Sequence, residues 1–137
     1  MDQTLPKIEL GKTGKQLSRL GLGGFHQVEI SQEIVTEVID TYLSYGGNYI
    51  ETARGYGAGA SEVKIGEALR GRRDDVILCS KSGAESADDM QRDLETTLTN
   101  LKTDHIEFYY LHGVPDSDKI DRIMAPGGAL EVLLQAK

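Results

Sequence analysis

The chain has 137 residues, 39% of them hydrophobic, with 15 Lys and Arg against 22 Asp and Glu for a formal net charge of -7. That length suits one domain and falls short of the ~250 residues of a complete eight-fold α/β barrel. The acidic balance argues against nucleic-acid binding, the single Cys79 excludes an internal disulfide framework, and the absence of any run of 18 apolar residues argues against a membrane span.

The opening MDQTLPKIEL lacks the apolar core of a signal peptide, so the expectation is one cytoplasmic domain over residues 1–137. KIEL and QLSRL are short alternating runs around GKTGK, which predicts a β-hairpin. LGLGGF, Leu20 to Phe25, reads as a short buried strand. Ser31 is placed to cap a helix carrying Ile34, Val35, Val38, Ile39, Tyr42 and Leu43, closed by Gly46. Asn48 to Ala53 reads as a strand. Ser61 opens a helix with Val63, Ile65, Ala68 and Leu69, stopped by Gly71. Asp75 to Lys81 is the clearest strand. Ser86 with Asp89 suggests a capping box, and Met90, Leu94, Leu98 and Leu101 form the following stripe. His105 to His112 is the fourth strand. Asp116 to Arg122 reads as a solvated helix turn rather than a substrate loop, and ALEVLLQAK as a final helix.

Four strand signals thus recur about every 28 residues, each followed by a helix signal, which implies a parallel sheet. A barrel and an open doubly wound sheet both fit. GKTGK fails the phosphate-loop pattern, and GLGGFH breaks the dinucleotide fingerprint at His26. GYGAGA, Gly55 to Ala60, does match G-x-G-x-x-[GA], with Asp74 and Asp75 near the distance of a ribose carboxylate. Against it, Glu51 to Arg54 stand between the apolar strand and the first glycine, where the turn onto a helix N-terminus should begin.

In a parallel barrel, Glu51, Lys81 and His112 follow three successive apolar runs and, with Tyr56 in the loop after Glu51, converge on one rim, where barrel active sites sit. Each alone has a plain reading as a salt bridge, turn aromatic, strand-end charge or loop histidine. As a set they suit carbonyl chemistry. A phenol is a weak acid at neutral pH, and a nearby ammonium favours the phenolate. A carboxylate holds the ammonium charged and oriented, and a histidine can orient a carbonyl.

ETARGYG and SEVKIGEAL resemble the aldo-keto reductase pattern D-T-A-x-x-Y-G … S-E-x-x-[LI]-G-x-A-L. LGKTGKQLSRLGLGG, LCSKSG and LKTDHIEFYYLHG also look like that family, in order and at family spacing. The resemblance implies an α/β fold of the (β/α)8 TIM-barrel type, of which this chain supplies about four βα units and the N-terminal hairpin. It implies an oxidoreductase reducing aldehydes or ketones with NADPH, less often NADH, and without a metal. Tyr56 would be the general acid, Lys81 its modulator and His112 the group that positions the carbonyl. Gly24, Phe25 and Glu51 would border the nicotinamide end. Glu51 stands where the family usually has aspartate, and the expected outcome is a tolerated swap with the ion pair intact. Four units leave open sheet edges, so the resemblance implies a C-terminal half or a second copy as partner. The alternative is a non-catalytic binding or regulatory protein, or an incomplete fragment, on the same scaffold.

Overall fold

The computed structural model of the chain describes residues 4–137; the first three residues of the expected domain lie outside it. Strands β1 (Lys7–Glu9) and β2 (Gln16–Ser18) form the expected antiparallel hairpin, with Ile8 opposite Leu17. Asn48 fastens the hairpin to the body of the fold: its Oδ1 accepts from Ser18 N at 2.7 Å, and Ser18 Oγ accepts from Asn48 N at 3.1 Å.

Strands β3 (Leu22–Gly23), β4 (Tyr49–Glu51), β5 (Ile77–Ser82) and β6 (Phe108–Leu111) form one parallel sheet in that order. Helices α1 (Gln32–Ser44), α2 (Ala60–Ala68) and α3 (Ala87–Leu101) connect them, and α4 (Ser117–Met124) and α5 (Ala129–Gln135) come after β6. The three connecting helices share one face: Val35, Ile39, Ile65 and Leu101 pack with Ile50 and Leu78 in a single buried cluster. Alternation then puts Tyr49, Glu51, Cys79, Lys81 and Tyr110 on the opposite, inner face. A doubly wound sheet would reverse its strand order and carry helices on both faces. Sequential order with helices outside is barrel architecture, and it decides between the two readings the periodicity allowed. Asp74 and Asp75 lie in the turn before β5, at the end of the sheet away from Glu51, so they cannot meet a ligand held by Gly55 to Ala60.

Ser31 caps α1 as expected, accepting from Ile34 N, and Ser86 Oγ accepts from Asp89 N while donating to Asp89 Oδ2. Several details differ from expectation. Ile34, Val38 and Val63 are exposed, while Val35, Ile39, Tyr42 and Ile65 carry their helices' burial. Helix α2 starts at Ala60 behind Gly59, whose φ of +98° glycine adopts without strain, so Ser61 is a buried residue of the first turn and not the cap. The fourth strand begins at Phe108 rather than His105. Glu107 explains this: its Oε2 accepts from Leu78 N at 2.7 Å, so a side chain takes the place of a ladder carbonyl. Asp116 caps α4, accepting from Lys119 N at 2.9 Å, and residues 116–122 form a largely exposed helical segment as expected, followed by the buried Ile123. Among the described residues no helix is long and apolar enough to cross a membrane.

Candidate active site

The C-terminal rim of the sheet gathers the four residues singled out from the sequence. Glu51 ends β4, Lys81 is the penultimate residue of β5, and His112 comes directly after β6, its N–H donating to Ser82 O at 2.7 Å. Tyr56 stands on the loop after β4, opening a short 3-10 turn. That loop runs along the end of β5, with Thr52 N donating to Cys79 O at 2.8 Å and Arg54 N to Lys81 O at 2.9 Å.

Lys81 is the hub. Its Nζ lies 2.9 Å from Glu51 Oε1 and donates to Thr52 O at 2.7 Å. Its side chain is 11% exposed against 38% for Glu51, so the pair is only partly screened by water. The ammonium sits 5.1 Å from the Tyr56 ring centroid. The His112 ring meets Tyr56 edge to face with centroids 5.8 Å apart, and Phe25 also meets it edge to face at 5.1 Å. Among the described residues, no group hydrogen-bonds the Tyr56 hydroxyl. Burial, then the positive charges of Lys81 and Lys119, hold the His112 pKa below its ordinary value against an opposing contribution from Glu51. The ring is therefore neutral at neutral pH, with one N–H to donate and one nitrogen to accept.

The longer carboxylate at position 51 keeps its expected contact with Lys81. It also gains a partner the sequence reading missed: Tyr49 Oη donates to Glu51 Oε2 at 3.2 Å. Burial, then the charges that Cys79, Tyr110 and Glu51 can carry, raise the Tyr49 pKa, so the phenol stays protonated and keeps its proton to donate to Glu51. Burial and the Glu51 charge likewise push the Cys79 thiol up to about 11. Strand alternation was the available signal, because residue 49 shares a face with residue 51.

Gly24 and Phe25 separate in role. Gly24 is buried beneath the rim, its N–H donating to Glu51 O at 2.7 Å and its carbonyl accepting from Ser61 Oγ at 2.8 Å. A Cβ there would lie 2.7 Å from Ser61 Oγ and 3.0 Å from Glu51 O, so close packing requires glycine. Phe25 is 55% exposed and presents an apolar ring beside Tyr56. Behind the rim, the fully buried Glu62 accepts from Ser80 Oγ (2.7 Å), Thr97 Oγ1 (2.8 Å) and Asn100 Nδ2 (3.0 Å). Arg54 pairs with Asp93 at 3.7 Å, and Asp93 accepts from Ser82 Oγ. These contacts tie the Tyr56 loop and the end of β5 to α3. A separate cleft of about 650 Å3 lies between α3, the free edge of β6 and α5, lined by Leu94, Leu98, Phe108 and Leu133 and away from the four rim residues.

The sequence profile of the Aldo/keto reductase family matches residues 19–135. The chain is 32% identical over 127 residues to an uncharacterized oxidoreductase of Bacillus subtilis, YqkF, covering 84% of this chain and 41% of that protein. Among solved structures it is similar to a putative aldo-keto reductase from Pseudomonas aeruginosa, with a TM-score of 0.85 and 27% identity over all of this chain and 57% of that one. It is also similar to an aldo-keto reductase from Klebsiella pneumoniae in complex with NADPH, with a TM-score of 0.69 and 27% identity over 80% of this chain and 41% of that one. The chain thus spans about two-fifths to three-fifths of the length of these relatives.

Proposed function

The chain belongs to the aldo/keto reductase family, and from that premise we propose that its rim is the proton-donating site of a nicotinamide-dependent carbonyl reductase. The observation that carries this reading is the Lys81 ammonium, held by Glu51 at 2.9 Å and lying 5.1 Å from the Tyr56 ring centroid. The residues present suit a nicotinamide group. Phe25 offers an exposed apolar ring beside Tyr56, the packed turn at Gly24 sets its place, and Glu51 borders the same space. When bound, the cofactor, NADPH before NADH, supplies the hydride.

The chain's own residues handle the proton. Tyr56 gives its phenolic proton to the oxygen of an aldehyde or ketone as the carbonyl carbon is reduced. Lys81 stabilises the negative charge that grows on the phenolate. Glu51 keeps that ammonium charged and aimed. His112, neutral beside Tyr56, donates its N–H to the same carbonyl oxygen and fixes its direction.

A binding-only role would draw on the glutamate in place of aspartate, but the Glu51–Lys81 contact favours the intact pair. In the intact protein, a reactive aryl aldehyde should drive NADPH oxidation, and Tyr56→Phe should lower kcat by about 10²–10⁴-fold with cofactor affinity kept. Unchanged turnover in that variant removes Tyr56 from its role. Cofactor binding without turnover over a broad carbonyl panel would support the binding-only reading instead.

A further inference from the structure

Lys119 lies on α4, outside the set of residues that the family pattern brings to the rim. Its side chain is 13% exposed. Its Nζ donates to Gly83 O at 3.3 Å and to His112 O at 3.2 Å. Those two carbonyls stand just past the ends of β5 and β6, the strands that carry Lys81 and His112 to the rim. The backbone bond from His112 N to Ser82 O holds the near side of the His112 residue. Immediately beyond, Gly113 turns the chain away with φ +60°, so the far side depends on another partner. Helix α4 is anchored well enough to supply one. Asp116 caps it, Arg122 pairs with Glu85, and Ile123 is buried against Met90, Ala129 and Val132.

We propose that Lys119 is a positioning residue for His112: its ammonium staples together the ends of the two strands that bring Lys81 and His112 to the rim. The inference rests on the reductase reading of that rim. Lys119 acts through the backbone on which the imidazole stands and through its charge. The groups that face His112 are Lys81 from β5, Glu51 from β4, the Tyr56 ring from its loop and Lys119 from α4. The two lysines oppose an imidazolium and Glu51 favours one. Removing Lys119 withdraws a cation and a backbone anchor together.

The test uses Lys119→Met in the intact protein, which keeps the apolar stem and removes charge and donors. His112 is followed by NMR titration, its resonance identified by its loss in His112→Gln, and hydrogen exchange is read at the His112 amide, which donates to Ser82 O. In Lys119→Met the His112 midpoint should rise by about half a pH unit toward the ordinary histidine value. Exchange at that amide should quicken on the order of tenfold. Lys119→Arg should restore both. Lys119→Gln is read in the same way if the methionine variant does not fold. An unchanged midpoint or an unchanged exchange rate overturns the proposal. Turnover is judged separately with Tyr56→Phe, so failure of the reductase reading leaves the histidine titration to decide whether Lys119 acts on His112.

Discussion

At residue 51 the chain carries a glutamate whose two oxygens have two partners, Lys81 Nζ and Tyr49 Oη. An aspartate, shorter by one methylene, withdraws the carboxylate and cannot hold both. Glu51 and Tyr49 therefore form a matched pair, and this gives the departure from the family pattern a physical reason. A hydrogen bond to a charged group contributes roughly 1.5–3 kcal/mol, so Tyr49→Phe should lower kcat by about tenfold with the carbonyl KM little changed. In the Glu51→Asp background the same substitution should cost nothing further. Steady-state kinetics on the four proteins checks this, and equal losses in both backgrounds would separate Tyr49 from Glu51. Glu51, Lys81 and His112 stood out in the sequence because each is an ionisable side chain after an apolar run, and Tyr56 because it follows Glu51 in the ETARGYG segment. Tyr49 did not, because a tyrosine inside a strand reads as packing until its partner is known.

At the scale of elements, polar side chains do work that hydrophobic patterning does not register. The pattern made Val63 a core residue of α2, yet Glu62 is the buried one, because Ser80, Thr97 and Asn100 supply three donors to its carboxylate. Gly66 lets α2 approach α3 closely: a Cβ there would lie 2.5 Å from Asn100 O. The start of β6 was misread for a similar reason. Arg73 and Glu107 form an ion pair at 2.9 Å with side chains 14% and 12% exposed, and Arg73 also donates to Val76 O, His105 O and Thr103 Oγ1. Burial raises the Glu107 pKa, but Arg73 and the Leu78 N–H outweigh it, so the net direction is down. Its contribution to stability is thus present above the unfolded carboxylate value and lost as pH falls through the lower folded one. Removing one partner of such a pair strands the other, so Glu107→Ala should destabilise the fold by about 3 kcal/mol near neutral pH. Urea unfolding measures this, and a loss equally large at a pH below the folded value would contradict the ion-pair account. Caps at Ser31 and Ser86, by contrast, were legible because capping is local chemistry between residues three apart.

For the molecule as a whole, repeating strand and helix signals were enough to predict a parallel sheet but not whether its strands run in barrel or doubly wound order. Strand order settled that, and order is a tertiary property. The sheet leaves β3 and β6 without outer neighbours among the described residues, and the cleft beside β6 combines apolar Leu94, Leu98, Phe108 and Leu133 with charged groups such as Asp104 and Glu107. Unpaired strand edges invite pairing with another chain. Alone in solution, the 137-residue chain should therefore sediment above its 15.0 kDa monomer mass as concentration rises. A single concentration-independent monomer boundary would mean that the edges are protected.

The unreversed strand order also bears on how the sheet comes into being. Leu22, Ile50 and Leu78 face one another at intervals of 28 residues, so each of these strands pairs with its neighbour in sequence. Contacts between near neighbours in sequence carry a small loop-closure cost and form fast. A chain leaving the ribosome would present each new strand to one already emerged, so that the sheet could assemble in the direction of translation. Lys81 and His112 arrive after Glu51, onto an edge that it has already furnished with its charge.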